Sequence, residues 1–175
     1  MTLDEYQACL LRMRERLHIW NERCASLAPQ VREVQPAPGV WSIKQNTFHV
    51  GDAFEATAIR MRAMLTEDEP QLLRFDADEW AAERDYQGRP WLTAITRLNE
   101  QFDRLLAVVE GLDAGQLERT GRQYNIAVNI LGLPTEVLRV ADLLLFEAAH
   151  IDEHLASIDE IIAQQTIAQQ TMVPV

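Results

Sequence analysis

The segment Arg139–Ala163, RVADLLLFEAAHIDEHLASIDEIIA, decides the fold. Two of the chain's four histidines, His150 and His154, stand four residues apart in it. On an α-helix that spacing stacks both rings on one face. Leu143, Leu144, Ile151, Leu155, Ile158, Ile161 and Ile162 gather on one side of the helical wheel, with Asp142, Asp152, Glu153, Asp159 and Glu160 opposite. The imidazoles fall at the edge of the apolar arc, beside Leu143 and Ile161, and are expected to point inward. Glu147 shares their sector. An i, i+4 histidine pair facing inward can grip one metal ion. The zinc-protease signature is absent, because Ile151 stands where it needs glutamate, so that route to peptide hydrolysis is disfavoured. Without a third ligand, a buried histidine pair that hydrogen-bonds within the core is the better explanation.

Outward from this helix, three more amphipathic stretches appear. Leu3, Tyr6, Leu10, Met13, Leu17, Trp20, Cys24 and Leu27 recur at steps of three and four and predict a helix over residues 2–28. His18 lies beside that stripe and reads as a surface or boundary residue. The proline-bearing segment APQVREVQPAPGV predicts a loop. Ser42 followed by Gln45 is a capping box and predicts the start of a second helix, which runs to about Leu65 and carries His49 two turns in. Residues 66–90 form an acidic connection, with a short helix expected around Asp76–Arg84; a connection this long is often functional. A third helix is expected from about Pro90 to Gly111 on the stripe Leu92, Ile95, Leu98, Phe102, Leu105, Leu106 and Val109. DAGQLERT reads as one helical turn, and Arg122–Pro134 as an apolar loop against the bundle end that could carry a short extended segment. Gln164–Val175 reads as frayed or as an extension of the last helix. The fold class is therefore all-α, a four-helix bundle with a long connection between helices two and three, in one domain over residues 1–175.

The composition narrows function. A net charge of −11 disfavours nucleic acid and an anionic membrane surface. No run of ~20 apolar residues could span a bilayer. The N-terminal MTLDEYQACLLRMRER has neither the basic nor the apolar region of a signal peptide, so a cytoplasmic location is expected. Cys9 and Cys24, about 22 Å apart along one helix at ~1.5 Å per residue, cannot pair with each other. Cys24 reads as a small core residue and Cys9 as peripheral.

Three stretches then carry a resemblance: GVWSIKQNTFHVGDAFEATAIRMRAML, with its W-S-x(6)-H entry; DADEWAAERDY in the connection; and VADLLLFEAAHIDEHLASI, with its H-x-x-x-H. With them the chain resembles the DinB-like family, in the branch of metal-dependent hydrolases and thiol transferases, from residue 2 to about 163. The resemblance implies a four-helix bundle whose open end holds one divalent metal on three histidines. Carried onto this chain, these are His49, His150 and His154. It also implies a homodimer and a small-molecule substrate. The segment YNIAVNILGLPTEVLRVADLL departs from the family pattern, being longer and more apolar, with Arg139 where threonine is common.

Three imidazoles leave a position open on a divalent ion, as catalytic metals require. Zn²⁺ and Ni²⁺ both suit such a site. The expected chemistry is activation of a low-molecular-weight thiol for S-transfer to electrophiles, or of water for hydrolysis. Glu147 and Asp52 are the candidate catalytic groups, each expected to hold an imidazole through its other ring nitrogen, Glu147 by wheel position and Asp52 by nearness to His49. Two alternatives stand beside this: a metal-binding or stress-response bundle without catalysis, and a structural bundle with core histidines.

Overall fold

The computed structural model of the protein describes residues 1–123 and 136–171, with side chains through residue 166. Helix α1 (Leu3–Ala25) opens with Thr2 accepting from the Glu5 amide while the Glu5 carboxylate accepts from the Thr2 amide. Helix α3 (Ile43–Thr66) opens on the same device, Ser42 with Gln45. Together with α5 (Trp91–Val109) and α7 (Val140–Thr171) they form the bundle. Helix α3 is the hub, lying along α5 on one side and α7 on the other, and α1 packs on α7. Glycine permits the close α3–α5 approach: a Cβ at Gly51 would stand 3.2 Å from the Leu98 backbone.

The connection after α3 holds α4 (Ala77–Glu83), capped by Asp76. After α5, Gly111 takes a positive φ of 77° and turns the chain into α6 (Ala114–Leu117). A two-stranded antiparallel ladder follows, β1 (Thr120–Arg122) with β2 (Val137–Arg139), in the register Gly121 opposite Leu138. Arg122 also bonds back to the first connection, accepting from the Leu72 amide at 2.7 Å and donating to the Pro70 carbonyl at 2.8 Å. The core runs through all four bundle helices, with Trp20, Phe54, Met61, Leu98, Leu105 and Ile158 among its fully enclosed members.

Several local expectations need correction. Residues Pro29–Glu33 form a short helix, α2, because Pro29 sits at the first helical position, where its missing N–H costs nothing. Cys9 is buried, not peripheral; its Sγ donates to the Leu144 carbonyl of α7 at 3.5 Å, and burial raises its thiol pKa. Leu3 and Leu92 head their stripes but lie exposed, each in the first turn of its helix. Asp142 is buried at the start of α7 rather than on a solvent face, gripping Arg139 through its side chain and backbone amide. The last helix continues to Thr171, so residues 164–171 extend it, and residues 172–175 lie outside the described residues. Of the apolar loop expected over residues 122–134, all but the first two positions lie outside the described residues, as does much of the segment that departs from the family pattern.

Candidate metal centre

Helix α3 brings His49 against α7, where His150 and His154 project from successive turns. The Nε2 atoms of His49 and His150 are 3.0 Å apart, as are those of His150 and His154. Among the described residues this is the one group of three metal-capable side chains whose ligand atoms all lie within 4.8 Å of one another. Nitrogens around a tetrahedral ion at 2.0–2.1 Å stand roughly 3.3 Å apart, a few tenths beyond the spacing observed.

What surrounds the rings fixes which nitrogens face inward. The Asn46 amide nitrogen donates to the Ser42 carbonyl at 2.9 Å, so its Oδ1 faces His154 Nδ1, 2.7 Å away. An acceptor there places the proton on Nδ1 and leaves Nε2 a lone pair. Glu147 Oε2 faces His150 Nδ1 at 3.7 Å, beyond hydrogen-bond distance, and neither atom has a hydrogen-bond partner among the described residues. The other Glu147 oxygen accepts from Thr57 at 2.5 Å. His150 Nε2 thus lies 3.0 Å from the Nε2 atoms of both His49 and His154, a convergence that one cation can share. His49 is held by rings: Trp41 at 4.8 Å and Phe75, stacked, at 5.7 Å between centroids. Its Nδ1 is buried without a hydrogen-bond partner. Burial, and then the imidazoles of His154 and His150, push His49 down to about 2; burial, and then His150, push His154 down to about 3. Both are neutral at pH 7, as metal coordination requires.

The histidines form one wall of a cleft of about 410 Å³. Phe146, stacked on His150 at 5.0 Å, and Phe75 give it apolar sides. Thr57, Arg60 and Glu147 lie deeper along α3 and α7, and Asp78 and Glu153 edge it. A second concavity of about 520 Å³ adjoins across Trp41 and Asn46 and includes none of the three histidines.

Of the candidate residues, His49, His150, His154 and Glu147 come together. Asp52 does not join them. It lies about 60° around the helix from His49, and its side chain turns towards α5. Arg97 donates to its Oδ1, Arg84 pairs with it at 2.7 Å, and Tyr86 donates to its Oδ2 at 2.5 Å. His18 is exposed and pairs with Glu22 on the far side of α1. Sequence reasoning missed Asn46 and Arg60. The signal for both was present, because Asn46, His49, Ala53, Thr57 and Arg60 share one stripe of α3 at steps of three and four.

Comparison with known proteins agrees with this architecture. The family model for the DinB superfamily matches residues 12–158. A Halalkalibacterium halodurans protein named "putative metal-dependent hydrolase" is 28% identical over 122 residues, 70% of this chain. An Oceanobacillus iheyensis protein of the same description is 27% identical over 82 residues, 47% of this chain. The matches span 66% and 47% of those relatives' own lengths, under two thirds in each case. Among solved structures, Bacillus subtilis YfiT, described as "a probable metal-dependent hydrolase with an unusual four-helix bundle topology", superposes with a TM-score of 0.81 at 17% identity, covering 95% of this chain and 90% of that one. The fold is shared.

Proposed function

The chain belongs to the DinB superfamily, and on that premise we propose that it is a metal-dependent enzyme acting on a small-molecule electrophile, with His49, His150 and His154 as the metal ligands. The observation that carries the reading is the convergence of the three Nε2 atoms, with His150 Nε2 3.0 Å from those of His49 and His154, and with the opposite nitrogens of His150 and His154 turned to Glu147 and Asn46. A divalent ion such as Zn²⁺ or Ni²⁺ supplies Lewis acidity there, enough to make water a nucleophile near pH 7 or to deprotonate a thiol.

The chain's own residues do the rest. Asn46 holds His154 in its coordinating tautomer, and Glu147, itself held by Thr57, sets its other carboxylate oxygen against the Nδ1 side of His150. Trp41, Phe75 and Phe146 cover the ring faces and keep bulk water from the imidazoles. Asp52 acts at a distance, by fixing the connection that supplies Phe75. The names of the relatives favour hydrolysis; a low-molecular-weight thiol is the other nucleophile that such a centre accepts.

Elemental analysis after growth in metal-supplemented medium tests the centre. One Zn or Ni per chain is expected in the wild type and none in His49→Ala or His150→Ala. Absence of stoichiometric metal from the wild type sinks the proposal. The loaded protein is then assayed on activated esters and on monochlorobimane, with and without glutathione, bacillithiol or mycothiol. Turnover without thiol means hydrolysis, and turnover only with thiol means S-transfer. No turnover by fully loaded protein leaves a metal-binding bundle.

A further inference from the structure

We infer that Arg60 is the anion anchor of the cleft, so that the substrate carries a carboxylate or another oxyanion at the end remote from its reacting centre. This deepens the proposed function and rests on it for the reacting end alone.

Arg60 stands on α3 eleven residues after His49, on the same stripe, and shares the cleft with the three histidines. Its guanidinium is half-buried. Its Nε donates to the Leu73 carbonyl at 2.9 Å, which fixes the plane of the group. That bond uses one of five donors. Among the described residues no carboxylate comes within 4.0 Å of this guanidinium, although ten of the chain's other arginines have such a partner. The nearest candidate is engaged elsewhere: Glu147 accepts from Thr57 and turns its free oxygen to His150. The carboxylates edging the cleft are different in kind. Asp78 and Glu153 are exposed to water at its rim, and Asp76 is paired with Arg74.

A partly desolvated guanidinium whose terminal N–H groups have no partner among the described residues, held rigid in a cleft, is suited to bidentate capture of an oxyanion. Phe75 and Phe146 give the same cleft apolar sides. The ligand that fits has an apolar body, an anionic end at Arg60 and an electrophilic end at the histidines. A volume of about 410 Å³ sits at the small end of ligand sites.

Benzoate and its neutral analogue benzamide are the probes, titrated by calorimetry into wild-type protein in metal-loaded and chelator-treated forms. In the chelator-treated form benzoate is expected to bind at least about tenfold more tightly than benzamide. Arg60→Gln should erase that preference in the chelator-treated form, while Arg60→Lys retains part of it. Equal affinity of the two probes for chelator-treated wild type overturns the inference. So does an undiminished preference in folded Arg60→Gln. The wild-type comparison stands even if substitution at Arg60 loosens the connection through Leu73. The chelator-treated arm contains no metal, so its result is independent of the metal content that tests the centre itself.

Discussion

Asn46 decides how His154 presents itself, and its removal separates ligand orientation from ligand identity. Asn46→Ala leaves all three imidazoles in place but deprives Nδ1 of its acceptor, freeing the ring to rotate and change tautomer. Loss of such an outer partner costs about 10- to 100-fold in metal affinity. Competition against a chromophoric chelator should show that loss without a change in stoichiometry; an unchanged affinity means that the bond does not orient the ring. The depressed pKa values of His49 and His154 carry a second prediction, for chelator-treated protein. Both groups are neutral in the fold, but an unfolded chain takes up their protons below about pH 6.5. Between that pH and the folded values of about 2 and 3 the unfolded state binds more protons, so stability is complete above 6.5 and falls as the pH drops. Each histidine contributes a slope approaching about 1.4 kcal/mol per pH unit. Urea melts from pH 7 to 5, above most carboxylate titration, should show this slope, and a His49→Gln/His154→Gln variant should flatten it. Equal slopes in the two proteins contradict the assignment.

At the scale of elements, the connection between α3 and α5 is latched rather than loose. Arg84, at the end of α4, and Tyr86 both reach Asp52 on α3, and Arg97 reaches it from α5; Glu55 accepts from both arginines. Burial, and then the hydrogen bond to Asp52, raise the Tyr86 hydroxyl pKa. Asp52 is fully enclosed, so the cluster is sensitive to removal of its centre. Asp52→Ala leaves two guanidiniums and a phenol facing a cavity, which costs on the order of 3 kcal/mol. Thermal melts should register the loss, and limited proteolysis should speed up in residues 67–90 while metal content stays at the wild-type ratio. Metal loss without destabilisation would return Asp52 to the histidines. This element also marks where sequence reading runs out. The Ser42–Gln45 capping box, the i, i+4 histidine pair and the short helix in the connection are local patterns, each settled within one or two turns, and all were legible. Whether Asp52 turns to α7 or to α5 depends on how α3 is rotated among its neighbours. A difference of 60° on the wheel does not settle that. Cys9 was misread for the same reason, since the covering Leu144 backbone lies 135 residues away.

For the whole molecule, the bundle and the centre are one construction. The helices α3 and α7 come from opposite halves of the chain, and the three histidines bridge them, as do Thr57 and Glu147. The four amphipathic stripes and the long connection were enough to read this architecture, because helix periodicity and proline or glycine punctuation survive in any packing arrangement. The strands β1 and β2 were harder to read, because three-residue pairings depend on partners distant in sequence. Since the ligands come from both helices, an ion held by all three binds the folded chain and not the unfolded one, and must stabilise it by mass action. With free metal at a hundredfold excess over Kd the gain is about 2.7 kcal/mol. For a chain of 175 residues that raises Tm by roughly 5–10 °C. Differential scanning of chelator-treated protein, with and without added Zn²⁺ or Ni²⁺, reads this shift directly. His49→Ala should lose most of it, because α3 then contributes no ligand and the ion no longer ties the two helices together. A full shift in that variant would place the bound ion on α7 alone, outside the three-histidine centre.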